Sequence, residues 1–208
     1  EEVAEGKTEG RWKARIVSKD LKCKHKKPYE DTHAAVPPLD AFRMMVATTN
    51  VNDVDVFMTD FDNAYLQARD WDGRRRLVSI VDLETGEVEH YWQNGVIYGD
   101  QEGAKEWKDE VVCKLTAGDM GFVEGLNAPS TYINKEKGIT VIMHVDDPAI
   151  FIDKSNPTYP QSRDEFFQQI ESKFKIKGWK QLTPENDVGY LSMKVQALPD
   201  GRMAIDND

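Results

Sequence analysis

The chain has 208 residues, 39% of them hydrophobic and 31% charged, with a formal net charge of −10. That length suffices for one sizeable core or for two small lobes sharing one, and the balance excludes a disordered chain. No apolar run approaches the roughly 20 residues of a membrane helix, so no membrane partner is expected. The acidic opening Glu1-Glu2-Val3-Ala4-Glu5 is neither a signal nor a transit peptide. It begins without Met, and we expect a piece cut from something longer.

Cys23 and Cys113 lie far apart with no partner at metal spacing, so a reducing compartment is expected, with Cys113 a small core residue on a helix. His25, His33, His90 and His144 form no H-x-x-x-H pair, which argues against zinc. The acidic total speaks against nucleic-acid binding, but its distribution does not. Residues 11–27 hold eight Lys or Arg against one Asp. Such a block is either a solvated face or a surface that meets phosphates, and position alone does not choose.

In chain order, residues 1–10 read as a tail. Residues 11–19 alternate, with Trp12, Ala14, Ile16 and Ser18 on one side, as a strand with a basic face does. Cys23 to Pro38 contains three prolines and reads as an extended connection. A helix is predicted from Asp40 to Thr49, its apolar side formed by Phe42, Met45 and Val46. Val54 to Asp60 is a short apolar strand ending on a carboxylate, and Ala64-Tyr65-Leu66 begins a helical turn. Residues 76–98 form a hairpin with its turn at Glu84-Thr85-Gly86-Glu87. A helix follows from Ala104 to Leu115, with Trp107, Val111, Val112 and Leu115 on one face and Gly118 at its end.

Ile139 to Val145 reads as a buried strand, Asp146-Asp147-Pro148 as a turn, and Ala149 to Ile152 as a second apolar run. Ser162 with Glu165 has capping-box spacing, opening a helix that carries Phe166, Phe167, Ile170 and Phe174 inward. Tyr190 to Val195 is the last predicted strand, and 196–208 a tail. Strands and helices interleave without a steady βα rhythm, so the fold class is α+β.

Acids stand where apolar strands stop: Asp60 after one strand, Asp146 and Asp147 between two others. On local pattern the plainer reading is turn chemistry, because Asp is a favoured turn residue. If the strands lie side by side, three carboxylates converge, and such a cluster repels itself unless cations neutralise it. A Mg²⁺ pair suited to phosphoryl transfer is the electrostatic answer. A glycosidase is the other use of paired acids, but nothing marks the apolar pocket its acid needs.

The stretches Lys13-Ala14-Arg15-Ile16-Val17, Thr59-Asp60-Phe61-Asp62-Asn63-Ala64-Tyr65-Leu66, Ile97-Tyr98-Gly99 and His144-Val145-Asp146-Asp147 follow in a telling order. With Met120-Gly121-Phe122, Ala128-Pro129-Ser130-Thr131-Tyr132-Ile133 and Phe174-Lys175-Ile176-Lys177, they resemble the blocks of a copia-type long-terminal-repeat retrotransposon reverse transcriptase. The resemblance spans residues 11–195, the fingers and palm portion of the pol polyprotein.

It implies an α+β polymerase palm, an antiparallel sheet backed by helices, with a small fingers lobe. By that likeness residues 11–53 and 70–103 supply the fingers, 54–69 and 104–195 the palm, and 196–208 a tail or the start of a missing thumb. Asp60, Asp146 and Asp147 would hold two Mg²⁺ ions, with Mn²⁺ as a substitute and the Phe61 carbonyl as a further ligand. Tyr65 would sit under the incoming sugar and exclude a 2′-hydroxyl; its plainer role is a core aromatic. Lys13 and Arg15 would meet the triphosphate, Arg through its bidentate fork and Lys as a point charge, or form only a solvated basic strand. Tyr98 and Gly99 would line the nucleotide, a small residue there letting backbone approach closely. Lys177 is a weaker candidate, for protonating pyrophosphate.

Some positions depart from the pattern. His144 replaces a Tyr, so charge there depends on pH. Asp100-Gln101-Glu102-Gly103-Ala104 stands for Leu-Lys-Gln-Ala-Pro, and Glu102 adds repulsion near a triphosphate. Ser192 replaces a Gly in the primer-holding strand, and Pro148 pushes Asp147 toward extended geometry.

The expected partners are an RNA or DNA template with primer, deoxynucleoside triphosphates, and the thumb and RNase H domains of a polyprotein or another subunit. The expected setting is intracellular, a cytoplasmic retroelement particle or the nucleus. Two readings stand beside RNA-directed DNA polymerase. One is a reverse-transcriptase-derived domain that no longer polymerises and serves for binding or structure. The other is a different palm-fold phosphotransferase such as a nucleotide cyclase.

Overall fold

The computed structural model describes residues 5–6, 12–13, 17–18, 34–69, 76–82, 84–100, 102–118 and 120–206. Arg15, Cys23 and most of the basic block lie outside them. In chain order the elements are β1 (Glu5–Gly6), β2 (Trp12–Lys13), α1 (Leu39–Thr48), β3 (Val54–Met58), α2 (Ala64–Gln67), β4 (Arg76–Val81), β5 (Val88–Gln93) and α3 (Gly103–Thr116). Then follow β6 (Val123–Gly125), β7 (Ala128–Asn134), β8 (Ile139–His144), β9 (Asp147–Asp153), α4 (Gln161–Lys173), β10 (Lys180–Gln181), β11 (Val188–Tyr190), β12 (Met193–Ala197) and β13 (Met203–Asp206). The sheets pair antiparallel throughout, and the fold is α+β.

The chain divides into two compact units, one of residues 1–34 and 64–110, the other of 35–63 and 111–208. In the first, β4 and β5 form the predicted hairpin, with Leu77 opposite Trp92 and Val81 opposite Val88. Its turn is tied by Asp82, whose carboxylate accepts the backbone N–H groups of Glu84 and Thr85. Val17 bridges Tyr98 in parallel, and the Ser18 N–H donates to the Tyr98 carbonyl at 2.6 Å.

The second unit is built on a six-stranded sheet in the order β10-β3-β9-β8-β7-β6. β3 and β9 are adjacent interior strands buried on both faces, which explains their nearly unbroken apolar runs. Strand alternation sends Val56, Met58, Ile142, Ala149 and Phe151 to one face. There they pack with Phe42 and Val46 of α1 and with Val188, Tyr190, Met193 and Val195 of the small β11-β12-β13 sheet. Phe42 anchors this face, its ring 4.2 Å from that of Tyr190 and 6.4 Å from that of Phe151. On the other face Phe57 meets Phe167 of α4 edge-on at 4.9 Å.

Four local expectations are corrected. Residues 190–195 are not one strand: Leu191 and Ser192 make a two-residue turn, both at positive φ, between paired Tyr190 and Met193. The ordered pattern also continues into β13, which pairs with β12. The capping box does not form, since Pro160 precedes α4 and the Ser162 hydroxyl bonds Thr158 Oγ1 at 2.6 Å, while Glu165 takes Gln161 Nε2. Cys113 is exposed rather than core. The buried stripe of α3 is Trp107, Val111 and Leu115 at four-residue spacing, and Cys113 falls between its turns. No helix is long and apolar enough to cross a membrane among the described residues.

Candidate functional site

Register brings the acids together. β3 and β9 are paired as far as Met58 opposite Ala149. The ladder is carried past that pair by the Thr59 N–H to the Pro148 carbonyl at 3.4 Å and the Phe61 N–H to the Asp146 carbonyl at 2.8 Å. Between those two bonds Asp60 falls beside Asp147. On the other side of β9, Asp147 is opposite His144 of β8. The same alternation puts Asp60, Asp147 and His144 on the face of Met58, Ala149 and Ile142.

The tip of this hairpin is Val145-Asp146, not Asp146-Asp147-Pro148. Asp147 already belongs to β9, and Pro148 is a strand residue opposite Met143. Val145 adopts φ +53, an uncommon conformation for a β-branched side chain. A turn of two residues leaves Asp146 at the tip and Asp147 on the strand, so the neighbouring carboxylates leave the chain from different local structures.

Electrostatics follow the geometry. Burial, then the charges of Asp146 and Asp60, push the Asp147 carboxyl above the ordinary aspartate range, while His144 and Lys177 pull it back. Asp60 is held by Lys177, whose Nζ lies 2.8 and 2.7 Å from its two carboxylate oxygens. The hydrogen bond to Asp60 raises the Lys177 ammonium, with its burial opposing and Asp60, Asp62 and Asp146 adding to the rise. A missed neighbour is Tyr190. Its buried phenol has no hydrogen-bond partner among the described residues, and burial followed by the Asp147 charge raises it far above the usual tyrosine range. No short-range signal marks it, because Tyr190 and Asp147 stand 43 positions apart in the chain.

A cavity of about 420 Å³ is walled by Pro37, Phe42, Ile142, His144, Tyr190 and Leu191, and none of the three aspartates lines it. Phe61 is buried, its ring 4.7 Å from that of Phe174.

The expected nucleotide-binding residues fall in the other unit. There Tyr65 and Tyr98 meet edge to face, ring centroids 5.0 Å apart. Gly99 has φ +88, and a Cβ on it would collide with the backbone of Ser18 and the side chain of Val17. What comes close to this glycine is the chain's own Val17-Ser18 segment. Lys13 lies in β2, and Arg15 is outside the described residues. Glu102 is buried just ahead of α3 and its carbonyl accepts the Glu106 N–H at 2.9 Å.

The donor chemistry fits a hard divalent cation, since the converging groups are carboxylate oxygens and Asp60 already takes an ammonium. The cage is not assembled, however: among the described residues no three Asp, Glu, His or Cys groups are gathered to hold one ion.

The class of protein comes from the sequence comparison. Residues 2–195 match the family described as reverse transcriptase (RNA-dependent DNA polymerase), and the chain belongs to that family. Its branch is the copia type. No curated protein matches the chain. Among solved structures it is similar to apo telomerase from Candida Tropicalis truncated from the C-terminal domain, at 8% identity and a TM-score of 0.42. That match covers 82% of this chain and 39% of the telomerase chain.

Proposed function

We propose that this chain is the fingers-and-palm portion of an RNA-directed DNA polymerase, working on a primed RNA or DNA template with deoxynucleoside triphosphates. The observation that carries the reading is the register that sets Asp60 beside Asp147, next to the Val145-Asp146 turn. In the proposed reaction a primer 3′-hydroxyl attacks the α-phosphate of a nucleotide, and pyrophosphate leaves. Asp60, Asp146 and Asp147 would hold two Mg²⁺ ions, with the Phe61 carbonyl as a further ligand. Bound metal would neutralise phosphate charge and acidify the attacking hydroxyl.

The chain's own work is orientation and charge. β3 and β9 fix two carboxylates at the end of a rigid sheet, and the tight turn fixes the third. Tyr65, against Tyr98, is assigned to the sugar, and Lys13 and Arg15 to the triphosphate. Thumb and RNase H functions would come from further polyprotein domains or another subunit, in a cytoplasmic particle or the nucleus.

One observation favours a second reading, a family member kept for binding or structure. Lys177 covers both oxygens of Asp60, and no three-ligand group is assembled among the described residues. The test is deoxythymidine incorporation on oligo(dT)-primed poly(rA), in Mg²⁺ and in Mn²⁺. The chain is assayed alone and joined to a thumb domain of the family, beside Asp146→Asn. Incorporation that the substitution abolishes supports the polymerase. Silence from the folded, thumb-bearing protein leaves the binding role.

A further inference from the structure

Lys177 differs from an ordinary surface lysine in how it is held. Its ammonium takes both oxygens of Asp60 at 2.8 and 2.7 Å, with the lysine side chain 50% exposed and the aspartate 38%. The backbone on both sides is stitched to the segment that carries Asp60. The Lys177 N–H donates to the Asp60 carbonyl at 2.9 Å, the Asp62 N–H donates to the Lys175 carbonyl at 2.9 Å, and Phe61 bridges Ile176. The hydroxyl of Thr59 adds a bond of 2.7 Å to the Gly178 carbonyl.

The ammonium and a divalent ion compete for those oxygens. A divalent ion bound there would meet a unit positive charge at contact distance. Removing the ammonium is feasible, because a four-carbon stem with a half-exposed head can swing into water while its backbone stays in place.

We propose that Lys177 is the built-in counter-ion of the carboxylate cluster: it holds Asp60 in the metal-free protein and competes with a divalent cation for it. The inference rests on the reading that Asp60, Asp146 and Asp147 take metal. It assigns Lys177 a positioning role that operates before any nucleotide arrives. It also accounts for a site whose donors suit a metal although its cage is not assembled.

The test is Mn²⁺ binding to the 208-residue chain, followed by electron paramagnetic resonance of free Mn²⁺ at neutral pH and low salt. Wild type is compared with Lys177→Gln, Lys177→Arg, Lys180→Gln and Asp146→Asn. Losing a half-exposed ion pair should let Lys177→Gln bind Mn²⁺ about fivefold more tightly, while its chelated form melts at a lower temperature. Lys177→Arg keeps the charge and should stay near wild type, as should Lys180→Gln, which controls for general loss of positive charge. Equal or weaker Mn²⁺ binding by folded Lys177→Gln overturns the proposal. If glutamine disturbs the fold, nitrogen NMR of the wild-type Lys177 ammonium decides: its signal should move in step with added Mg²⁺, and a fixed signal through saturation overturns the role. Wild-type binding that Asp146→Asn weakens, with Lys177→Gln no tighter, sinks the counter-ion role alone. No binding by wild type removes the metal reading and this inference together.

Discussion

Asp147 carries the strain of the cluster. Its carboxyl is raised by burial first and by Asp146 and Asp60 next. In the metal-free protein the folded state therefore holds that proton to higher pH than the unfolded chain does. Folded stability then falls as pH rises from about 4 through the raised value. Asp147→Asn removes this cost, so in chelator at pH 7 it should raise the melting temperature by about 1–3 °C. The gain should vanish below about pH 4. A thermal melt at both pH values checks it, and a lower melting point at pH 7 would contradict the clustering.

Asp55, five residues before Asp60, is a buried acid placed differently. It is buried on β3 but fully served, by Tyr159 Oη at 2.6 Å, Lys154 Nζ and Gln181 Nε2 at 3.3 Å, and Arg163 at 3.8 Å. Asp55→Ala strands these partners and should cost about 2–4 kcal/mol in urea unfolding. A loss under half of that would mean the network rearranges around the gap.

At the scale of elements, two tight hairpin turns border the site, and both use positive φ without glycine. Leu191 and Ser192 stand at φ +50 and +63, the pattern of a two-residue turn that favours Asn-Gly. A glycine at position 192 would suit this backbone conformation better than serine. Ser192→Gly should stabilise the protein by about 0.5–1 kcal/mol, measured by denaturant midpoint, and destabilisation would mean that the hydroxyl does something the geometry does not reveal. Val145, at φ +53, is the costlier exception and sits between His144 and Asp146. Strain of this kind tends to persist where a neighbouring geometry is being enforced.

Across the second unit, one face of the six-stranded sheet is covered by α1 and by the β11-β12-β13 sheet, and Phe42 of α1 meets Phe151 of the one sheet and Tyr190 of the other. Phe42→Ala should cost about 3–5 kcal/mol. It should also disturb Tyr190 and, through it, the environment of Asp147. Comparing its effect on stability with its effect on Mn²⁺ binding tests whether this layer positions the acids. A full loss of stability with unaltered metal affinity in the remaining folded fraction would show that it does not.

Much of this was legible from local pattern. β3, β8 and β9 announce themselves as apolar runs because both their faces are buried. The 76–98 hairpin shows its alternation and turn, and α3 its four-residue stripe, since these periods are properties of strand and helix themselves. The order of blocks around Asp60 and Asp146-Asp147 was enough to identify the family. What the sequence could not decide depends on chain segments far apart in number. Register chose Asp147 rather than Asp146 as the neighbour of Asp60. The Leu191-Ser192 turn split an apparent strand, because the pairing of Tyr190 with Met193 outweighed the backbone preference of two ordinary residues. The ion pair between Lys177 and Asp60 joins positions 117 apart, and no periodicity reaches that far. Local sequence fixes which backbone forms are cheap, while charge pairing and burial are settled only when the sheet closes.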